Sequence, residues 1–154
     1  MKKDQAIILS WGVTVFAAIC GVTAFFVIFA DAVRFSGVAL VDTLTGIQAA
    51  LGFSINKTYQ LFGASAGIII AYLFSLLGAS GAIIGKGIKV VTALSAAMML
   101  TGGVLLLCLP NLLNNVNLTA TALATAHLAP GGIASGVLAI VGGVTAGASL
   151  LLKA

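Results

Sequence analysis

The chain has 154 residues and a mass of 15.3 kDa, enough for one domain. Hydrophobic residues make up 61% of it and charged residues 6%, with a formal net charge of +4 and a mean hydropathy of +1.25. A soluble domain carries roughly a quarter charged residues, so this inventory excludes an ordinary cytosolic enzyme, a disordered chain and a disulfide-rich secreted module, and leaves an integral membrane protein.

A hydrocarbon core about 30 Å thick takes about 20 apolar residues in a helix. The first such stretch runs from Ala6 to Ala30, carries no charge and follows Lys2 and Lys3. Ala30-Asp31-Ala32 has the small-x-small form of a cleavage site, so a cleaved leader is one reading. The apolar run of about 25 residues exceeds the roughly 7–15 of a signal-peptide core, and an uncleaved first helix over residues 1–32 is expected. Trp11, near its start, fits an interfacial anchor, as does Tyr59 before the second span.

In the next segment, 33–60, the residues Leu40, Val41, Leu44, Ile47, Leu51 and Ile55 recur at three- and four-residue spacing. That period predicts an amphipathic helix over Val38–Ile55, capped by Ser36 and lying at the membrane interface or against a neighbouring subunit. Two further spans, Leu61–Ile84 and Val90–Leu109, form a hairpin over 61–109 with Lys86 and Lys89 in its turn. Residues 110–130 read as a polar, uncharged loop bounded by Pro110 and Pro130, with an Asn117-Leu118-Thr119 triplet of glycosylation-acceptor form. The last span, Gly131–Leu152, lies in segment 131–154. β-Barrel strands alternate apolar and polar residues over about ten positions; these runs are twice as long and apolar all round. The expected class is therefore an all-α integral membrane protein with four transmembrane helices and one interfacial amphipathic helix. Lysines at both termini and in the Lys86–Lys89 turn, against an uncharged 110–130 loop, place both termini and that turn on the cytoplasmic side.

Residues that carry chemistry are scarce. The chain contains no glutamate, and Asp4, Asp31 and Asp42 all lie outside the predicted spans, so no intramembrane carboxylate marks a proton or ion path. Length, glycine content and four spans resemble the two-hairpin proteolipid subunits of rotary ATPases. The stretch where that family carries its carboxylate reads Ile140-Val141-Gly142-Gly143-Val144 here. His127 lacks companions for a metal or catalytic role, and Cys20 and Cys108 sit in separate spans as small apolar residues. The run Gly81 to Gly87 has the wrong spacing for a phosphate loop. Neither catalytic residues, nor a metal site, nor a cofactor is expected.

Small residues do recur at packing distance. Gly63 and Gly67, Gly81 and Gly85, Gly132 and Gly136, and Gly143 and Gly147 are each four apart, the spacing that lets helix backbones approach in lipid. A homo-oligomer or multi-subunit membrane complex, in contact with lipid, is expected from their number. The succession of an amphipathic segment, a small-residue-rich span, the basic turn Gly85-Lys86-Gly87-Ile88-Lys89 and a second span resembles conjugative pilins of type IV secretion systems. The stretch Met99 to Pro110, a Gly-rich span ending in Leu-Pro, resembles small polytopic proteins of Dot/Icm-type and IncI-type conjugation systems. That resemblance, over Val38 to Leu113, implies a pilin-like or channel subunit in which Lys86 and Lys89 face a lumen and translocating nucleic acid through the oligomer. A small transport protein or holin-like pore former is the alternative.

Overall fold

Four helices carry apolar side chains on every face, and the size of those side chains decides which face turns inward. The computed structural model describes residues 2–37, 43–56, 59–115 and 124–152. Helix α1 spans Lys3–Phe26 and runs on through one 3₁₀ turn, Val27–Phe29. It buries Thr14, Ala17, Ala18, Cys20, Gly21 and Ala24 at three- and four-residue steps, while Ile8, Val15, Phe16, Ile19 and Phe26 point outward. The same sorting is complete in the last long helix and recurs in the two between, where Ile68, Tyr72, Met99 and Leu106 are the large side chains turned inward. In lipid an outward leucine or isoleucine loses nothing, whereas inward bulk holds backbones apart, so the small residues collect inside.

After α1 come strands β1 (Asp31–Gly37) and β2 (Thr43–Thr45), helix α2 (Gly46–Leu51), and strands β3 (Phe53–Asn56) and β4 (Tyr59–Gly63). Helix α3 (Ala66–Ile84) and helix α4 (Lys89–Leu107) form the hairpin. A short helix α5 (Leu109–Leu112), strand β5 (Asn114–Asn115) and strand β6 (Ala124–Leu128) lead to helix α6 (Pro130–Leu152). Each of α1, α3, α4 and α6 is long and apolar enough to cross a membrane, which bears out the expected all-α membrane class with four spans. They form a ring in which α1 packs on α3 and α6, and α4 packs on α3 and α6.

Met99 stands at the centre of the ring. Its side chain is wholly buried and fills a recess floored by Gly21 of α1, Gly78 of α3 and Gly142 of α6, each of which would collide with it on gaining a Cβ. Buried hydroxyls within the bundle bond to their own helix: Thr14 donates to the Ser10 carbonyl at 2.9 Å, Ser95 to Val91 at 2.8 Å, and Ser149 to Ala146 at 2.6 Å. These side chains are small and already satisfied, so they pack like alanine. Tyr72 is the exception. It is buried, and its hydroxyl faces Ser135 without reaching hydrogen-bond geometry, while the Ser135 hydroxyl donates to the Gly132 carbonyl.

The amphipathic helix expected over Val38–Ile55 is cut down to α2. Residues 38–42 lie outside the described ones, Thr43–Thr45 pairs antiparallel with β1, and Phe53–Asn56 pairs with β4. The cap is Thr45, whose side chain accepts from the Gln48 backbone N–H while Gln48 Oε1 accepts from the Thr45 N–H, a capping box. Ser36, the expected cap, pairs with Thr125 within a sheet. Gly52 ends α2 at φ +99°, a backbone conformation that a Cβ disfavours. Strand competition explains the difference: β1 is sandwiched between β2 and β6, and β6 comes from the 110–130 segment, about ninety residues away in sequence. That segment is therefore more than a loop, although Asn117-Leu118-Thr119 lies outside the described residues. A second sheet, β3-β4-β5, ties the same two regions together, and Phe35 stacks on Phe62 at 5.4 Å between ring centroids. Both sheets join the connections at the end where α1 and α4 finish. The opposite end holds the start of α1, the end of α6 and the α3–α4 turn, since Lys3, Lys86 and Leu152 line one hollow.

Candidate functional site

Most of the chain's described cationic side chains gather at the end away from the sheets. Helix α3 stops at Gly85, Gly87 takes φ +100°, and Lys89 opens α4, so a four-residue turn reverses the chain. A left-handed glycine is what permits so tight a reversal. The turn carries Lys86 inward rather than away from the bundle: its Nζ lies 3.9 Å from the centroid of the Trp11 ring and donates to Ser10 Oγ at 3.3 Å. Aromatic face and ammonium attract through the ring quadrupole, an effect that grows as water is excluded.

Two hollows flank this contact. One, of about 250 Å³, is lined by Lys3, Ala6, Ile7, Ser10, Trp11, Lys86 and Leu152. The other, of about 560 Å³, is lined by Ser10, Trp11, Ile83, Lys86, Gly87 and Lys89. Asp4 is the one described carboxylate on the first turn of α1 and lines neither of them. Among the described residues that line the two hollows, the ionisable side chains are lysines. Among the described residues no three His, Cys, Asp or Glu side chains converge as a metal site. His127 lies at the other end of the molecule, opposite Arg34 in the β1–β6 pairing. Cys20 is buried and Cys108 exposed, on different helices.

The eight glycines singled out for packing do pack, but against their own chain. A Cβ on Gly67 would touch Leu112, on Gly81 the Ser95 hydroxyl, on Gly85 Val91, on Gly132 the Ala32 carbonyl, on Gly136 Leu107, and on Gly143 Leu100. Gly147 faces Ala96 at ordinary contact distance, and Gly63 is buried in β4 rather than in a helix. The outward face of α4 also carries small residues at four-residue steps: Ala93, Ala97 and Thr101 are all exposed. Thr101 borders a shallow hollow with Leu100, Val104 and Leu105, and its hydroxyl is satisfied by the Ala97 carbonyl at 2.8 Å.

Sequence reasoning found Lys86 and Lys89 but not their setting. Trp11 reads as an interfacial anchor on its own, and Ser10 has no local signal at all; their meeting with Lys86 depends on α1 and α3 being neighbours in the ring. No protein-family model matches the chain, and no similarity to a curated protein or to a solved structure is found.

Proposed function

We propose that this protein is a non-enzymatic structural subunit of an oligomeric membrane assembly, with both termini on the cytoplasmic side. The observation that carries this reading is the outward stripe Ala93, Ala97 and Thr101 on α4. The inward glycines are occupied within the bundle, and this stripe repeats their spacing on a face that its own chain leaves uncovered. Small residues four apart let a second helix approach closely in lipid, where van der Waals contact does the work that water does elsewhere. A conjugation or type IV secretion assembly is the form of this reading favoured by the resemblance across the hairpin and its basic turn. As a pore former the chain would conduct between subunits, because Met99 fills the axis of the bundle itself.

Cysteine cross-linking tests the reading. In a chain with Cys20 and Cys108 replaced by alanine, Ala97→Cys should give covalent dimers in native membranes, and Phe16→Cys on the outer face of α1 should not. Ala97→Leu should lower the mass of the particle extracted in mild detergent. A strictly monomeric particle in both bilayer and detergent refutes the assembly role.

A further inference from the structure

Ala30-Asp31-Ala32 carries small side chains two apart, the form a signal peptidase reads before it cuts. The backbone there suits such an enzyme as well. Helix α1 gives way to a 3₁₀ turn that ends at Phe29, and Ala30 is extended at φ −89° and ψ 162°. Strand β1 then begins at Asp31. The chain has left the helix at the end of the apolar run, in the conformation that a peptide takes when it pairs with the edge of another protein.

The fold nevertheless withholds this stretch. A cut after Ala32 requires Ala32 and Val33 to enter a cleft, and both are wholly buried. Their backbone is engaged too. The Ala32 carbonyl accepts from the Ala129 N–H at 3.0 Å, and the Ala30 carbonyl accepts from the Gly46 N–H at 3.2 Å. Val33 pairs with Leu44 on one side and with Leu128 on the other. The start of α6 supplies the cover: a Cβ on Gly131 would collide with the Asp31 carbonyl and the Ala30 side chain, and one on Gly132 with the Ala32 carbonyl. Helix α1 is itself part of the ring, packed on α3 and α6, and its Gly21 floors the recess that holds Met99.

We propose that Ala30-Asp31-Ala32 is a cryptic processing site closed by the docking of α6, so that α1 stays in the folded protein and is lost only from chains in which α6 has not docked. The enzyme it fits is a signal peptidase, which takes small side chains at both ends of the triplet. Hydrolysis adds water across the Ala32–Val33 peptide bond and leaves a carboxylate on Ala32 and an amino group on Val33. The closure does not depend on the assembly role, and a monomer has it too.

The full-length protein in mild detergent is incubated with a purified bacterial type I signal peptidase, and intact-mass measurement follows the products. Both ends of the bundle are reachable in detergent, so the proposed orientation does not enter. The parent should stay intact while Gly131→Val/Gly132→Val, which forces the start of α6 off β1, releases the fragment ending at Ala32. Cutting of a transiently open site tracks its open population. Overpacking at this contact should therefore speed release on the order of 10- to 100-fold. Adding Ala32→Leu to the double valine variant should abolish release, because the enzyme needs a small side chain there; continued release would be general proteolysis and overturns the site. Gly143→Ala strains α6 against Leu100, about three turns further along the helix, and should be cut no faster than the parent. Release from it that matches the double valine variant overturns the start of α6 as the cover. A parent cut between Ala32 and Val33 as fast as the double valine variant refutes the closure, and a double valine variant as resistant as the parent refutes the processing site.

Discussion

The recess around Met99 makes a quantitative prediction about Gly142. A Cβ on Gly142 would strike the Met99 terminal methyl, while its next neighbours, the Ala17 carbonyl oxygen and Cys20 Cβ, stand at 3.1 Å. Overpacking a filled core costs about 1–3 kcal/mol, and the low end is expected for Gly142→Ala because a flexible methionine can move aside. Met99→Ala removes three heavy atoms beyond Cβ. In a soluble core that substitution costs about 2–5 kcal/mol, of which about 2.4 is transfer from water at roughly 0.8 kcal/mol per group. In a bilayer the separated helices keep the side chain in hydrocarbon, so that part drops out and a packing loss of up to about 2.5 kcal/mol remains. The two changes are complementary: the space vacated by the methionine is the space the new Cβ enters. The double variant should therefore be more stable than the sum of the single ones implies, with a coupling of about 1 kcal/mol or more. Gly102→Ala serves as the contrast, because its Cβ would lie 2.8 Å from the backbone oxygen of Ala71, which no truncation of Met99 can move. It should be the more damaging glycine substitution and should add to Met99→Ala without rescue. Reversible unfolding in mixed detergent–SDS micelles measures all five variants against the parent. Strict additivity for Gly142 and Met99, or a Gly142→Ala protein as stable as the parent, would refute the central packing of Met99.

Two other outcomes follow from single residues. Tyr72→Phe should leave stability unchanged or raise it by about 1 kcal/mol, since it deletes a buried hydroxyl that makes no hydrogen bond; a loss above that size in the same unfolding assay would show that the hydroxyl has a partner. Cys108 is exposed at the sheet end while Cys20 is buried, so a membrane-impermeant maleimide should label Cys108 alone in intact cells. A K2C substitution in a Cys108→Ala background should be labelled only after permeabilisation, and the reverse pattern would invert the proposed orientation.

The membrane class and the four spans were legible in the sequence because hydrocarbon thickness sets a minimum apolar length, and composition alone meets it four times. The last two expected spans agree closely with the helices, Val90–Leu109 against Lys89–Leu107 and Gly131–Leu152 against Pro130–Leu152, whereas the second, Leu61–Ile84, starts before α3 (Ala66–Ile84) because Tyr59–Gly63 is taken into β4. The turn at Gly85–Lys89 and the packing role of the glycines were equally local, since each depends on a backbone property of the residue itself. Partners were not legible. Helical spacing between Val38 and Ile55 is a real pattern, yet within its described part Thr43–Thr45 pairs with β1, itself held by the distant β6, and Phe53–Asn56 pairs with β4, so only Gly46–Leu51 stays helical. Likewise, a glycine announces that something comes close without naming it: only the ring order of the helices turned the eight glycines toward their own chain, left Ala93, Ala97 and Thr101 facing out, and carried Lys86 onto Trp11. Sequence by itself determined that helices of this length must form and roughly where they lie. Which faces meet is a property of side-chain volumes summed across four helices, and that sum exists only once they are packed.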